Sequence, residues 1–133
     1  MRKLIFGLVL TLAAGCMADE SVTAYGGSSK LWRLDTLDGQ SIKETITLEL
    51  LDQGRVVGQA PCNRYSTTQN APYPWFQLSP IVTTRRACPD LALEAVYLQA
   101  LETMTESEVL GDTLVLRSPN GQELVYRAST VSE

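Results

Sequence analysis

Alternating hydrophobic and polar residues predict two β-hairpins, one in each half of the chain. Residues 45–50 place isoleucine and leucine side chains on one face of a strand and polar side chains on the other. The Asp-Gln-Gly sequence at 52–54 predicts a turn, after which residues 55–59 return as the second strand. Residues 113–117 and 123–127 form the other predicted hairpin, because an Asn-Gly pair lies in the short connection between them.

A change of period predicts one amphipathic helix over residues 89–104. Pro89 suits the first helical position, since its missing N–H would be unpaired there, and Glu94 lies near the positive end of the helix dipole. We expect this position near the helix end to account for Glu94. The apolar side chains recur every three or four residues and form one stripe that faces the core: Leu93, Val96, Tyr97, Ala100, Leu101 and Met104.

The other predicted elements are short strands at 31–34 and 75–78 and a polar loop with two prolines at 66–74. We expect Trp32 in the core. Trp75 and its aromatic neighbours are expected to close one end of the core, with an exposed docking edge as the alternative. The predicted fold class is therefore α+β, a small, mostly antiparallel β-sheet packed against one main amphipathic α-helix.

The first sixteen residues resemble a bacterial lipoprotein signal. Arg2 and Lys3 precede an uncharged apolar run over 4–14, and small residues lead directly to Cys16. The run is too short to span a bilayer comfortably. We expect residues 1–15 to be removed and the Cys16 thiol to be acylated, which would attach the chain to a membrane. The alternative is an ordinary signal peptide with a coincidental cysteine.

The rest of the chain is expected to form one folded domain with a polar segment on each side. Residues 16–30 carry the lipidated cysteine and small polar residues typical of a flexible tether. Residues 31–128 hold all the predicted strands and the helix. Residues 129–133 are expected to be a frayed tail.

The acidic balance and the absence of histidine narrow the possible functions. The chain carries 11 basic and 15 acidic residues, and removal of Arg2 and Lys3 would make it more acidic still, which argues against nucleic-acid binding. Without histidine the chain lacks the commonest general base and most zinc and copper sites. Motifs for phosphate, dinucleotide or calcium binding are also missing from the sequence, so we expect no cofactor and no metal.

Cys62 and Cys88 are expected to form a disulfide. If Cys16 is acylated, they remain as an even pair of cysteines in an oxidising compartment. The chain-entropy model gives such a bond about 3 kcal/mol of stabilisation. The alternative is two buried free thiols.

Two short motifs lie in the middle of the chain, and the predicted helix follows them. They are Gly58, Cys62, Asn63 and Tyr65 in the first motif, Thr84, Ala87 and Cys88 in the second, and Glu94 in the helix. In this order and spacing these elements resemble the META domain, the family of the HslJ-like heat-shock lipoproteins, over about residues 31–127. Pro61 departs from the pattern, because the family usually has glycine before the cysteine and proline fixes φ at about −65°.

The bond between the two motif cysteines would bring two basic segments together at one corner of the domain. Guanidinium groups suit carboxylates and phosphates, so we hypothesise that an anionic ligand or an acidic segment of a partner protein binds there. In the alternative, the asparagine caps a turn, the tyrosine packs, and the arginines pair with Asp90 or other surface carboxylates. The candidate residues are Asn63, Arg64, Tyr65, Thr84, Arg85 and Arg86.

The resemblance implies a cell-envelope lipoprotein domain associated with stress tolerance, and it implies no reaction. We therefore expect a non-catalytic binding or accessory protein that is attached to the membrane through acylated Cys16. Met17 after the cysteine favours the outer membrane over the inner, with the domain facing the periplasm. The alternatives are an inhibitor or chaperone-like partner of another envelope protein and, less favoured, a histidine-free hydrolase with paired carboxylates.

Overall fold

The computed structural model describes residues 19–129, which form nine β-strands and one α-helix. The expected signal peptide at 1–15, the expected lipidation residue Cys16 and residues 130–133 of the expected tail lie outside the described residues. The elements are β1 (Leu31–Leu37), β2 (Gln40–Ser41), β3 (Thr47–Leu50), β4 (Arg55–Gln59), β5 (Arg64–Thr68), β6 (Val82–Thr83), α1 (Leu91–Thr103), β7 (Glu106–Leu110), β8 (Thr113–Arg117) and β9 (Glu123–Ser129).

The strands form one antiparallel sheet in the order β6-β5-β4-β3-β1-β9-β8-β7, with β2 paired to β1. Both predicted hairpins are confirmed. β3 and β4 are joined by a short 3-10 turn at Asp52–Gly54, and β8 and β9 pair with Arg117 opposite Glu123. A mostly antiparallel sheet with one main helix is the α+β fold that the sequence predicted.

The segment 74–79 connects β7, at one end of this sheet, to β5, which lies next to the short end strand β6. The N–H of Phe76 donates to the carbonyl of Thr105, directly before β7, over 2.8 Å. The N–H of Ser79 donates to the carbonyl of Thr68, at the end of β5, over 2.9 Å. The sheet therefore closes on itself in the manner of a small barrel, because one segment hydrogen-bonds both beside β7 and to β5.

Two predictions for this part of the chain are wrong. Residues 66–68 were expected in a loop, but they belong to β5, in which Tyr65 and Thr67 face the core and their neighbours face outward. The regular strand expected at 75–78 makes only isolated bridges. Its chain crosses from β7 to β5 within a few residues, so it cannot follow either strand for the length of a regular ladder.

The helix α1 contributes its inward face to the core, but that face differs from the predicted stripe. Tyr97 and Leu101 are fully buried, and Glu94 is buried with them. Val96 was expected in the stripe but is 52 % exposed. It follows Glu94 by two residues and lies about 100° around the helix from Tyr97, which turns it away from the core.

The aromatic side chains divide between the core and the surface. Trp32 is fully buried and Phe76 is 2 % exposed, which confirms the core prediction for both residues. Trp75 was expected to help close the core, but it is 55 % exposed. Its backbone bridges to Glu106 of β7. Neighbouring residues of an extended segment point to opposite sides, so Phe76 inside requires Trp75 outside.

The segment before β1 packs on the domain. The prediction of a flexible tether over 17–30 is therefore wrong for the part of the segment that the structure describes, residues 19–30. A π-helical turn spans Thr23–Gly27, and Val22 before it is fully buried in the core. The indole N–H of Trp32 donates to the carbonyl of Gly27 over 2.9 Å. An apolar valine and this buried hydrogen bond hold the segment in place. At the other end, Ser129 belongs to β9 and pairs with Leu31, although it was expected in the tail.

Candidate functional site

The candidate corner is built from the turn after β4 and the segment between β6 and α1. Cys62 and Cys88 form a disulfide, with their Cα atoms 5.6 Å apart, as the sequence predicted. The N–H of Arg64 donates to the Thr84 hydroxyl over 3.1 Å, and the N–H of Thr84 donates to the carbonyl of Arg64 over 3.1 Å. The structure thus brings the two motifs together along several residues.

Asn63 organises this corner through its side-chain amide. It is 4 % exposed, and its Oδ1 accepts hydrogen bonds from the Thr84 hydroxyl (3.0 Å) and the Arg86 N–H. Its Nδ2 donates to the carbonyl of Arg86 (3.0 Å) and to Glu94 Oε2 (2.7 Å). An amide group has two donor hydrogens and two acceptor lone pairs, so the hydrogen-bonding capacity of this side chain is filled. Asn63 therefore positions its neighbours and has no group left for a ligand.

The expectation that the position near the helix end explains the presence of Glu94 is wrong. Its Oε1 accepts hydrogen bonds from the backbone N–H groups of Cys62 (3.0 Å) and Asn63 (2.7 Å), which belong to a different segment. The carboxylate is only 6 % exposed. Acceptance of three N–H bonds, including the one from the Asn63 amide, lets a charged group remain buried. Glu94 thus fastens the turn after β4 to the first turn of α1.

The three arginines of the corner are exposed at the surface. Arg64 and Arg86 lie beside Thr84 and Asn63 through their backbones, as predicted, and Arg85 lies between them in sequence. Within residues 19–129, all ion pairs involve other basic residues, so the alternative, in which these arginines pair with Asp90 or other surface carboxylates, is not observed. The three side chains are exposed, on a backbone that Thr84 holds at Arg64 and Asn63 holds at Arg86.

Tyr65 is buried, and its hydroxyl is directed to other groups of the core, although the residue also borders the concavity beside the corner. Its hydroxyl donates to the carbonyl of Thr47 over 2.6 Å and lies 2.8 Å from the hydroxyl of Tyr97. The Tyr97 hydroxyl lies 3.0 Å from that of Tyr126. Each hydroxyl carries one proton, so the donors run from Tyr126 to Tyr97 to Tyr65 and end on the carbonyl oxygen. The alternative considered for Tyr65, that it packs, is the one observed.

Burial shifts the ionisation of these three tyrosines. It raises the pKa of Tyr65, Tyr97 and Tyr126 well above 10.0, because a phenolate in the core would lose its hydration. The three hydroxyls therefore remain protonated and serve as a fixed internal network. No local sequence pattern indicates this network, because the three residues lie on different elements.

An open concavity of about 580 Å³ lies beside the corner, on the outer side of β3 to β6. Arg64 and Thr84 line it on the side of the corner, and Val82, which is 68 % exposed, adds an apolar wall. Glu49 also lines it. Of the six candidate residues, Arg64 and Thr84 are thus the exposed ones that share a concave surface.

The part of the chain that the structure describes holds no group of three or more cysteine and carboxylate side chains placed to bind a metal ion. None of its helices has the length and apolar character needed to cross a membrane.

The fold and the corner define a small α+β domain in which a disulfide, an asparagine and a buried glutamate fasten the turn after one hairpin to a helix. The chain belongs to the META domain family, whose model matches residues 28–130. The match begins within the segment that packs before β1. No curated protein matches the chain significantly.

Solved structures share the fold. An NMR structure of a protein from Burkholderia xenovorans is 22 % identical, covers 95 % of this chain and 99 % of its own, and has a TM-score of 0.66. A second protein solved by NMR is 16 % identical, with 78 % of this chain and 92 % of its own covered and a TM-score of 0.62. The crystal structure of a DUF4847 family protein from Bacteroides vulgatus is 10 % identical, covers 85 % of this chain and 100 % of its own, and has a TM-score of 0.65.

The residues that match the family motifs have structural tasks in this chain. Asn63 and Glu94 fix the corner, Gly58 makes room for Tyr65, and the two cysteines close the disulfide. Pro61 fits the turn before Cys62, so this chain does not use the left-handed conformation that glycine would allow there. The motifs therefore specify the shape of the corner, and the exposed side chains between them are free to differ.

Proposed function

We propose that this META domain protein is a lipid-anchored, non-catalytic cell-envelope protein that binds an acidic segment of a partner protein at the arginine corner. We define the arginine corner as Arg64, Arg85 and Arg86. The established statement is that the chain is a small META domain. The anchor, the partner and a role in envelope stress are proposals.

The observation that carries the proposal is the set of three exposed arginines that form no ion pair with a carboxylate among residues 19–129, on a chain of net charge −4. An acidic protein with a local basic surface attracts a partner of opposite charge to that surface. Because Thr84 holds the backbone of Arg64 and Asn63 holds that of Arg86, their positions are set before binding. A pre-ordered site loses less conformational entropy when a partner binds.

The adjoining concavity favours a peptide segment over a small anion. Its walls combine Arg64 with the exposed side chain of Val82, so a ligand with both acidic and apolar groups would fit it. Thr84 also lines this surface. Such a mixed surface is typical of protein interfaces, in which an apolar contact and charged contacts lie side by side.

The anchor is proposed from the sequence before the described residues. Acylation of Cys16 would hold the domain at a membrane, and Met17 favours the outer membrane. The mass of the protein isolated from cells tests this directly. The acylated form must be heavier by its lipid and must appear in the membrane fraction, and Cys16→Ala must lose both properties. An unmodified chain in the soluble fraction contradicts the anchor.

The partner is tested by crosslinking in living cells under envelope stress, followed by mass spectrometry of what co-purifies. The native chain is compared with Arg64→Glu/Arg86→Glu, in which the charge of the corner is reversed. Arg33→Glu on β1 is the matched control, because Arg33 is an exposed arginine outside the corner. A dominant partner that is lost in the double variant and kept in the control supports the proposal. The same partners for all three chains, or none, contradict it.

A further inference from the structure

The segment nearest the proposed anchor carries an exposed aromatic surface. We define this anchor-side aromatic surface by Tyr25, Tyr73 and Trp75. Tyr25 is 56 % exposed and Trp75 is 55 % exposed, so both rings present large area to solvent. Tyr25 stacks on Tyr73, with the ring centroids 4.7 Å apart and the planes 7° apart.

This surface is joined to the start of the described chain. The N–H of Tyr73 donates to the carbonyl of Glu20 over 2.6 Å, and Trp75 follows two residues later. Cys16 precedes Glu20 by four residues, which span at most about 14 Å when fully extended. A lipid on Cys16 would therefore keep the backbone of Tyr73 within about 20 Å of the acylated residue.

We propose that the anchor-side aromatic surface lies against the membrane interface when Cys16 is acylated. Tyrosine and tryptophan rings favour the headgroup level of a bilayer, because each combines a large apolar ring with a polar hydrogen-bonding group. The proposal rests on the lipid anchor put forward above. It adds that the domain is oriented on the membrane, because its residues from Ser21 onward pack on the fold and leave only a short link to the anchor.

The charges around the surface specify the lipid. Glu20 and Glu106 are exposed acidic residues whose backbones contact those of Tyr73 and Trp75, whereas the arginine corner lies on other segments. Carboxylates are repelled by anionic headgroups. The surface therefore suits a zwitterionic bilayer, and an anionic lipid is expected to weaken its contact.

Trp75 provides the readout, because the chain has two tryptophans and Trp32 is fully buried. The chain from Cys16 to Glu133 contains all the residues of the described fold, and its only thiol outside the disulfide is that of Cys16. This thiol is joined to a maleimide-bearing phospholipid in zwitterionic vesicles that contain brominated lipid. The fluorescence of Trp75→Phe is subtracted to isolate the Trp75 signal.

We expect the brominated lipid to remove most of the Trp75 signal and to leave the Trp32 signal unchanged. The matched control is the same chain with Cys16 capped by N-ethylmaleimide, which must show little quenching in the same vesicles. Vesicles rich in phosphatidylglycerol must give less quenching than phosphatidylcholine alone. Trp75 fluorescence that is equal in the anchored and capped chains overturns the proposal, and leaves the aromatic surface for a protein partner.

The experiment separates the two proposals. The chemical link supplies the anchor, so a failure of quenching counts against the orientation on the membrane alone. The mass of the cellular protein tests acylation by itself, so an unmodified Cys16 counts against the anchor alone. Quenching in the vesicles together with an acylated Cys16 in cells supports both.

Discussion

Tyr65 lies directly across from Gly58 on the neighbouring strand, and its ring fills the space in which any other residue would carry a Cβ atom. This close approach lets the Tyr65 hydroxyl reach the carbonyl of Thr47 on the next strand. Two residues of the first motif therefore act as one unit. The glycine is required by the tyrosine, and the tyrosine ties three strands to the buried hydroxyl network.

The first prediction is that Gly58→Ala destabilises the fold. Its Cβ would collide with the carbonyl oxygen of Thr47 and the hydroxyl of Tyr65. We expect the free energy of unfolding to fall by about 1–3 kcal/mol, the usual cost of overpacking. Urea denaturation measures it. Ser66→Ala, an exposed change on the adjacent strand, is the control and is expected to alter stability by less than about 0.5 kcal/mol. Equal stabilities would contradict the steric argument.

The second prediction concerns the buried carboxylate of Glu94. Glu94→Ala leaves three buried N–H donors, one from Cys62 and two from Asn63, without an acceptor. Each buried donor that stays without a partner lowers the free energy of unfolding by about 1–3 kcal/mol. Glu94→Gln keeps the shape but turns one acceptor into a donor, so we expect a smaller loss of stability than with alanine.

Chemical denaturation of both Glu94 variants tests this order. Glu102→Gln on the exposed face of the same helix is the matched control, because it removes the same charge without touching the corner. If Glu102→Gln lowers the free energy of unfolding as much as Glu94→Gln, the effect belongs to helix charge and not to the corner.

The third prediction is a loss of stability in alkaline solution. Burial raises the pKa of Tyr65, Tyr97 and Tyr126 above 10.0, so the protonated phenols favour the folded state. This contribution is complete below the pKa of tyrosine in the unfolded chain, about 10, and is lost as the pH rises through the higher folded values. We expect the urea midpoint to fall above about pH 10.

Tyr126→Phe is the informative variant for this pH dependence. It removes the first donor of the network and leaves the bond from Tyr97 to Tyr65 in place. The alkaline decline should become shallower, because one buried ionisable group is gone. Ultraviolet absorbance of tyrosinate provides a second readout. Ionisation of all the tyrosines near pH 10 in a chain that stays folded would contradict the buried network.

The fourth prediction is that the disulfide stabilises the corner. It links residues separated by 26 positions, and Cys62→Ser/Cys88→Ser is expected to lower the free energy of unfolding by about 3 kcal/mol. Hydrogen exchange should rise most at the N–H groups of Asn63 and Arg86, which the bond helps to hold. A uniform increase over the whole sheet would show that the bond supports the fold as a whole.

Most of the fold could be predicted from local patterns, because the two hairpins and the helix each carry a short-range signal. Leu48 and Leu50 alternate with polar residues, and the Asn-Gly pair marks its turn. β7 lacks such a signal, since Glu106, Ser107 and Glu108 follow one another and its pairing with β8 decides its structure. The two-residue strands likewise depend on their neighbours.

The position of the candidate site could be predicted from the sequence, but the role of each residue in it could not. The cysteine pair located the corner, and the neighbouring Asn63 and Arg64 came with it. Whether a polar residue is exposed or consumed in hydrogen bonds depends on partners distant in sequence. Glu94 lies 31 positions from Asn63, and no local pattern links the two. The sequence signal that could have indicated this contact is the glutamate early in the helix, which matches the family motif.

The segment 74–79 leaves the main sheet without a long free edge. Strands with unpaired N–H and C=O groups can pair with the same strands of another molecule, which begins aggregation. Here β7 is covered by this segment, and β6 offers only two residues, Val82 and Thr83. Copies held close together on one surface would therefore lack, within the described residues, a long strand edge through which the sheet of one molecule could extend into the next.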